Sequence, residues 1–274
     1  MKTIKHHSGI QISNELPFVV IGGLNVLENQ ELSLETCKHF VEVCSSLNLQ
    51  FIFKASFDKA NRTSIHSFRG VGADKGIEIF KALKEQFDIP ILTDIHEPYQ
   101  ASLLAPHCDF LQLPAFLARQ TDLVKALSET DAIINIKKPQ FLAPDDMAFI
   151  VQKFSELGKT KVMICERGTS FGYHNLVVDF LGFETMKKQA PLIFDTTHAL
   201  QTPTSNYGRA GGRGQLVYSL ARAAIVQKIA GIFIETYPNP SEAKCDGDCV
   251  LPLAELKNFL SQLQQLDNLV KLQA

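Results

Sequence analysis

The sequence predicts one α/β domain over residues 1–274: a (β/α)8, or TIM, barrel whose residues 1–15 form a short N-terminal extension capping the barrel floor. Three observations carry this expectation. Eight short, β-rich apolar runs alternate with longer amphipathic stretches from one end of the chain to the other. Parallel strands need helical crossovers, and eight such units can close on themselves. No Pro/Ser-rich linker, low-complexity stretch or charge block divides the 274 residues, a length that barrels use as a single unit. The competing architecture is a doubly wound open sheet, whose dinucleotide-binding form has a glycine-rich turn directly after its first strand. Here Gly22-Gly23 falls inside the strand and no G-x-G-x-x-G follows.

In chain order, the strands are expected at 18–24, 50–55, 89–95, 109–114, 132–137, 161–166, 192–197 and 231–236, each a short run such as FIFKA or KVMICE. Ile, Val and Phe dominate these runs, as suits buried pleated strands. Between them lie helix-like segments, such as 32–47, 75–87, 121–127, 144–157 and 215–230. In the first of these, Leu32, Thr36, His39/Phe40 and Val43 recur at helical spacing, with Glu35 and Lys38 between them.

Composition narrows the function. Hydrophobic residues make up 45% and charged residues 20%, which is globular and not disordered. With 27 Lys plus Arg against 29 Asp plus Glu, the net charge of −2 argues against a general nucleic-acid or membrane-surface binder. The six cysteines lie mostly in apolar runs without framework spacing, so buried reduced thiols are expected. The start, MKTIKHHSGIQIS, lacks an apolar signal core, and no run reaches membrane-spanning length. A soluble cytoplasmic protein is the expectation.

The strand ends carry the chemistry. Asn25 ends the first strand, Lys54 the second, Asp94 with His96 the third and Gln112 the fourth; Lys137 with Lys138, Arg167, His198 and Glu235 follow on the remaining four. In a barrel these ends meet on one face, where barrel enzymes place their active sites. Converging charges are costly unless something neutralises them. Lys54, Lys59, Arg62, Lys137, Lys138 and Arg167 read as a pocket for phosphate and carboxylate groups, with Arg167 able to grip either one bidentately. A surface lysine is usually only solvated, but Lys54 and Lys137 close apolar strands. His198, Glu235 and Asp246 suit a divalent cation or, equally, a metal-free polar network; spacing alone leaves both open.

KASFDKANRTSIHSFRG after the second strand reads as a substrate loop, since Lys54, Lys59 and Arg62 recur among small donors. RNA binding is disfavoured because no aromatic stacking platform accompanies it. Cys245 and Cys249 form a CxxxC pair for which packing is expected over metal binding. The 202–214 segment, TPTSNYGRAGGRG, is expected to be a mobile loop near the site mouth.

At these residues the chain resembles the 3-deoxy-D-manno-octulosonate 8-phosphate synthases. The matching stretches are GGLNVLE from Gly22, FKASFDKANR from Phe53, TDIHEP from Thr93, QLPAFLARQTDL from Gln112, NIKKPQF from Asn135, ERGTSFGYHNLVVD from Glu166, FDTTHALQ from Phe194 and AKCDG from Ala243. The resemblance spans essentially the whole chain and implies a barrel, a homotetramer and no cofactor. It implies condensation of phosphoenolpyruvate with D-arabinose 5-phosphate and water, giving 3-deoxy-D-manno-octulosonate 8-phosphate and phosphate for lipopolysaccharide synthesis. Lys54, Lys59, Gln112, Lys137 and Arg167 would contact phosphoenolpyruvate. Asn61 and Arg62 would contact the sugar phosphate, and Asp94 joins the substrate-binding set. Asn25, His198, Glu235 and Asp246 would position water and sugar hydroxyls, with Lys137 also counted as catalytic.

The family divides into metal-dependent members with Cys at the first-strand position and metal-independent members with Asn. Asn25 implies the second class, because an amide is a poorer ligand than a thiolate for a soft divalent ion. Two rival readings are a shikimate-type synthase using erythrose 4-phosphate and a non-catalytic barrel that binds a phosphosugar.

Overall fold

The computed structural model describes residues 2–205 and 209–272, with only the backbone of 203–205 and 209–210. Eight parallel strands form the expected closed barrel: β1 Val19–Val26, β2 Phe51–Ser56, β3 Ile91–Asp94, β4 Phe110–Leu113, β5 Ile133–Lys137, β6 Val162–Glu166, β7 Leu192–Asp195 and β8 Gly231–Tyr237. Each pairs with its sequence neighbour, and β8 closes the ring against β1, Glu235 lying opposite Gly23. Outside lie α1 Gln30–Ser46, α2 Ala73–Phe87, α3 Pro98–Leu104, α4 Thr121–Ser128, α5 Met147–Glu156, α6 Leu181–Gln189, α7 Val217–Ile225 and α8 Leu256–Leu272. The sequence reading does not list α3, α6 or α8. Helix α1 starts where Asn29 Oδ1 accepts the Leu32 N–H at 2.8 Å.

Strand alternation divides the side chains into two sets. Phe53, Ile91, Leu111, Ile134 and Ile164 join the core between strands and helices. Val19, Ile21, Ile52, Leu92, Phe110, Ile133, Met163, Ile193 and Phe233 instead form a separate buried cluster inside the barrel. Ile4, Ile10 and Ile12 belong to that inner cluster. They come from an N-terminal hairpin, Ile4–Lys5 paired with Gln11–Ile12, which closes the barrel floor.

Two residues beyond six of these inner apolar side chains, at the next inward position, the character changes. Lys54 follows Ile52, Asp94 follows Leu92, Gln112 follows Phe110, Asn135 follows Ile133, Asp195 follows Ile193 and Glu235 follows Phe233, and all are buried. The upper barrel is therefore lined with ionic and amide groups. All six cysteines are buried and free. Within the 202–214 segment, expected as a mobile loop, Gln201–Ser205 pairs antiparallel with Arg209–Gly212, while the intervening residues 206–208 lie outside the described residues.

Candidate active site

The site begins with a distortion in β1. Gly23 has φ +155°, and a Cβ there would stand 2.3 Å from the Lys54 carbonyl oxygen, so only glycine allows this approach to β2. The β1–β2 register shifts between Gly23 and Val26. Asn25 emerges beyond that irregularity, and its Nδ2 donates to Glu235 Oε2 at 2.5 Å and Asp246 Oδ2 at 2.9 Å. One neutral amide thus separates two carboxylates. Asp246 arrives from the loop after β8 on a residue with φ 50°, a left-handed conformation that Asp tolerates better than most.

His198 completes this side. Its Nδ1 lies 2.8 Å from Asp195 Oδ2, and the same carboxylate accepts the His198 backbone N–H at 2.8 Å. An ionised carboxylate only accepts, so the ring hydrogen is assigned to Nδ1. Nε2 then faces Glu235 Oε2 at 3.5 Å and Asp246 Oδ2 at 4.0 Å. Asp195 was missed in the sequence reading. It also accepts from Lys137 Nζ, whose ammonium sits 3.5 Å from the centre of the Phe233 ring. Burial pushes the Asp195 carboxyl upward, but His198 and Lys137 outweigh it and hold the group well below the usual range.

Across the pocket, Lys54 Nζ donates to Ser56 Oγ at 2.8 Å and lies 3.4 Å from Glu235 Oε1 and 3.8 Å from Asp94 Oδ1. Burial and the neighbouring Lys59 lower its pKa. Burial acts the same way on Lys59, but Glu235, Asp94, Cys245 and Asp246 prevail and raise it. Asp94 is held well below the carboxylate range: burial opposes this, and Lys54 and His96 dominate. Gln100 Oε1 accepts the backbone N–H groups of His96 and Glu97, so the first turn of α3 fixes the bend carrying Asp94 and His96. Arg167 Nη2 donates to the His198 carbonyl at 2.9 Å and Gln201 Oε1 at 2.7 Å. Gln112 Oε1 accepts from Asn135 Nδ2 at 2.9 Å, a neighbour also absent from the sequence reading.

Thus Asn25, Lys54, Lys59, Asp94, Gln112, Lys137, Arg167, His198, Glu235 and Asp246 gather at one barrel mouth. Lys138 does not. As the residue after inward-facing Lys137 it turns to the helix side, where it is fully buried against Thr169 Oγ1 at 2.9 Å and Glu166 Oε2 at 3.6 Å. Its expected place among the pocket cations is corrected to a bond between the β5 and β6 ends. Arg62 donates to Cys245 Sγ and the Lys244 carbonyl, docking the β2–α2 loop on the segment carrying Asp246, while Asn61 is exposed. Cys249 is buried against Gly211.

The cations are also not a bare positive cluster. Lys54 and Lys137 have carboxylate partners, whereas among the described residues Lys59 and Arg167 have none within 4.0 Å. These two are the cations best placed to take a substrate anion.

The family model of the DAHP synthetase I family matches residues 2–272. The chain belongs to the DAHP synthetase I family. Among DAHP synthetase I relatives, the 2-dehydro-3-deoxyphosphooctonate aldolase of Acinetobacter baylyi is 56% identical over 263 residues, covering 96% of this chain and 92% of the relative. The protein of the same name from Pseudomonas aeruginosa PAO1 is 55% identical, covering 96% and 94%. That of Bordetella avium is 52% identical over 274 residues, covering 99% and 97%.

Proposed function

We propose that the chain condenses phosphoenolpyruvate with D-arabinose 5-phosphate and water to 3-deoxy-D-manno-octulosonate 8-phosphate and inorganic phosphate, a transferase step in lipopolysaccharide synthesis. The relatives' shared name supports this reading. The observation that carries it is the barrel mouth itself, where among the described residues Lys59 and Arg167 have no carboxylate within 4.0 Å beside the Asn25–Glu235–Asp246–His198 network.

Carbon 3 of phosphoenolpyruvate forms the new bond to the sugar aldehyde, water adds at carbon 2, and carbon–oxygen cleavage releases phosphate. Lys54, Lys59, Lys137 and Arg167, with Gln112, hold phosphoenolpyruvate and meet the charge as it shifts; such fixed cations need little reorganisation during reaction. Asn61 and Arg62 serve the sugar phosphate, and Asp94 belongs to the substrate-binding set. The gap between His198 Nε2 and the Glu235 and Asp246 carboxylates, 3.5–4.0 Å, suits a bridging water. Asp195 acts as a positioning residue by fixing both His198 and Lys137.

His198, Glu235 and Asp246 present atoms within 4.8 Å of one another, close enough for a cation. Asn25 turns its NH2 toward both carboxylates, so the fourth position is filled by a donor where a cation would need an acceptor. The metal-independent reading rests on this arrangement.

Phosphate release from phosphoenolpyruvate should be fast with arabinose 5-phosphate and at least about 100-fold slower with erythrose 4-phosphate, since a site built to hold a hydroxyl discriminates against its absence. The reverse preference would establish the shikimate-type rival, and no release with either sugar would establish the silent barrel.

The assembly is proposed to be a homotetramer in the cytoplasm. Exposed Phe116, Phe141, Phe149, Phe171 and Leu181, following β4, β5 and β6, support self-association. Among the described residues no helix is long and apolar enough to cross a membrane. Light scattering at assay concentration is expected to give four chains; a fully active monomer would refute the assembly.

A further inference from the structure

We propose that the barrel floor carries a second ligand site, for one divalent transition-metal ion of the zinc class, formed by His6, His7 and Asp109. This site lies at the opposite end of the barrel from the carboxylate network. His6 and His7 stand between the paired strands of the N-terminal hairpin, and Asp109 immediately precedes β4. One donor atom from each residue falls within 4.8 Å of the other two. Imidazole and carboxylate together form a normal donor set for zinc, with water free to complete the shell on the exposed His7 side.

The spacing fits an ion better than a direct bond. His6 Nε2 and Asp109 Oδ1 are 3.4 Å apart, long for a hydrogen bond. A tetrahedral ion with bonds of about 2.0 Å holds its ligand atoms about 3.3 Å apart. The side chains are also held from behind. Ser8 holds the His6 ring, its Oγ 2.8 Å from Nδ1 and its backbone N–H donating to that nitrogen at 3.3 Å; a metal on Nε2 would move the ring hydrogen to Nδ1, where Ser8 Oγ can accept it. Asp109 Oδ2 accepts the Ile91 N–H at 2.9 Å and meets Lys84 Nζ at 2.8 Å, which fixes the carboxylate and leaves Oδ1 toward the histidines. The hairpin turn is set by Gly9 at φ 92° and by the His6 N–H donating to the Ile10 carbonyl at 2.9 Å. An ion here would clip the hairpin to the start of β4.

Equilibrium dialysis of tag-free, chelator-treated protein against Zn2+ tests the site. Wild type should take up one equivalent that depends on His7. His7→Ala, an exposed change remote from the mouth, should keep wild-type turnover and bind that equivalent at least about tenfold more weakly. His198→Ala, dialysed in parallel, should retain it, which separates the floor from the candidate cluster at the mouth. Added Zn2+ should raise the Tm of wild type by about 3 °C and leave His7→Ala unmoved. Wild type that binds no zinc, uptake that follows His198 alone, or a His7→Ala protein with wild-type binding and Tm response would overturn the proposal.

Discussion

Lys137→Ala is expected to lower kcat/KM by at least about a thousandfold, a loss of about 4 kcal/mol in transition-state stabilisation. The Lys137 ammonium is a buried cation held between Asp195 and the Phe233 ring, at the heart of the proposed phosphoenolpyruvate site. It is not a surface-facing strand-end lysine whose removal spares the fold. At 5% exposure it is a counter-ion of a fully buried carboxylate, so its loss should also destabilise the protein. Breaking a buried pair costs about 3–5 kcal/mol, and the lower end applies because His198 still contacts Asp195. The double variant Lys137→Ala/Asp195→Asn removes the stranded charge. Steady-state kinetics and thermal melts should show the double variant recovering stability without recovering activity. A single variant with near-normal turnover would remove Lys137 from the machinery.

Exhaustive chelation should leave wild-type activity unchanged, and Asn25→Cys should convert the site to one that binds a metal. In wild type the Asn25 amide donates to Glu235 at 2.5 Å and Asp246 at 2.9 Å, and so holds the two carboxylates together. Cysteine removes that donor and supplies a thiolate beside His198, Glu235 and Asp246, a soft four-residue set. Without metal the variant should lose activity at least about tenfold, because the carboxylates then face each other unbridged. The check is metal content and activity of both proteins before and after chelator, with Zn2+, Mn2+ or Fe2+ added back. Wild type that fails on chelation and revives with metal would overturn the metal-independent reading.

Much of this site is written in strand alternation. FIFKAS places apolar Ile52 two positions before Lys54 on the inward face, and IINIKK places Ile133, Asn135 and Lys137 on that same face, so a period of two is visible in one sequence. The same rule excludes Lys138, but it needs the face of the strand to be known. A list of polar strand ends treats neighbouring lysines alike. Asp195 shows the opposite limit. LIFDTTH reads as an apolar run whose most distinctive end residue is the histidine, and only closure of the barrel brings Lys137 from β5 onto the Asp195 carboxylate from β7. The missing helices have separate causes. Helix α3 is only 7 residues long and begins at Pro98, which reads as a turn. Helix α8 buries Leu256, Phe259, Leu260 and Leu263 at helical spacing; it was legible but lies beyond the last strand, outside the alternation used to find the others.

The change from hydrocarbon to ions inside the barrel takes place over two residues of strand, a rise of about 6.6 Å. The mouth therefore rests on a dielectric boundary. Phe233, Ile52 and Leu92 beneath it have little polarisability with which to answer a charge, so field lines from Lys59 and Arg167 are turned outward toward the opening. Dissolved salt acts on that field only where solvent reaches, over a Debye length of about 8 Å at physiological strength. Ionic strength consequently governs how quickly an anionic substrate arrives, and has little hold on one already seated against the hydrocarbon.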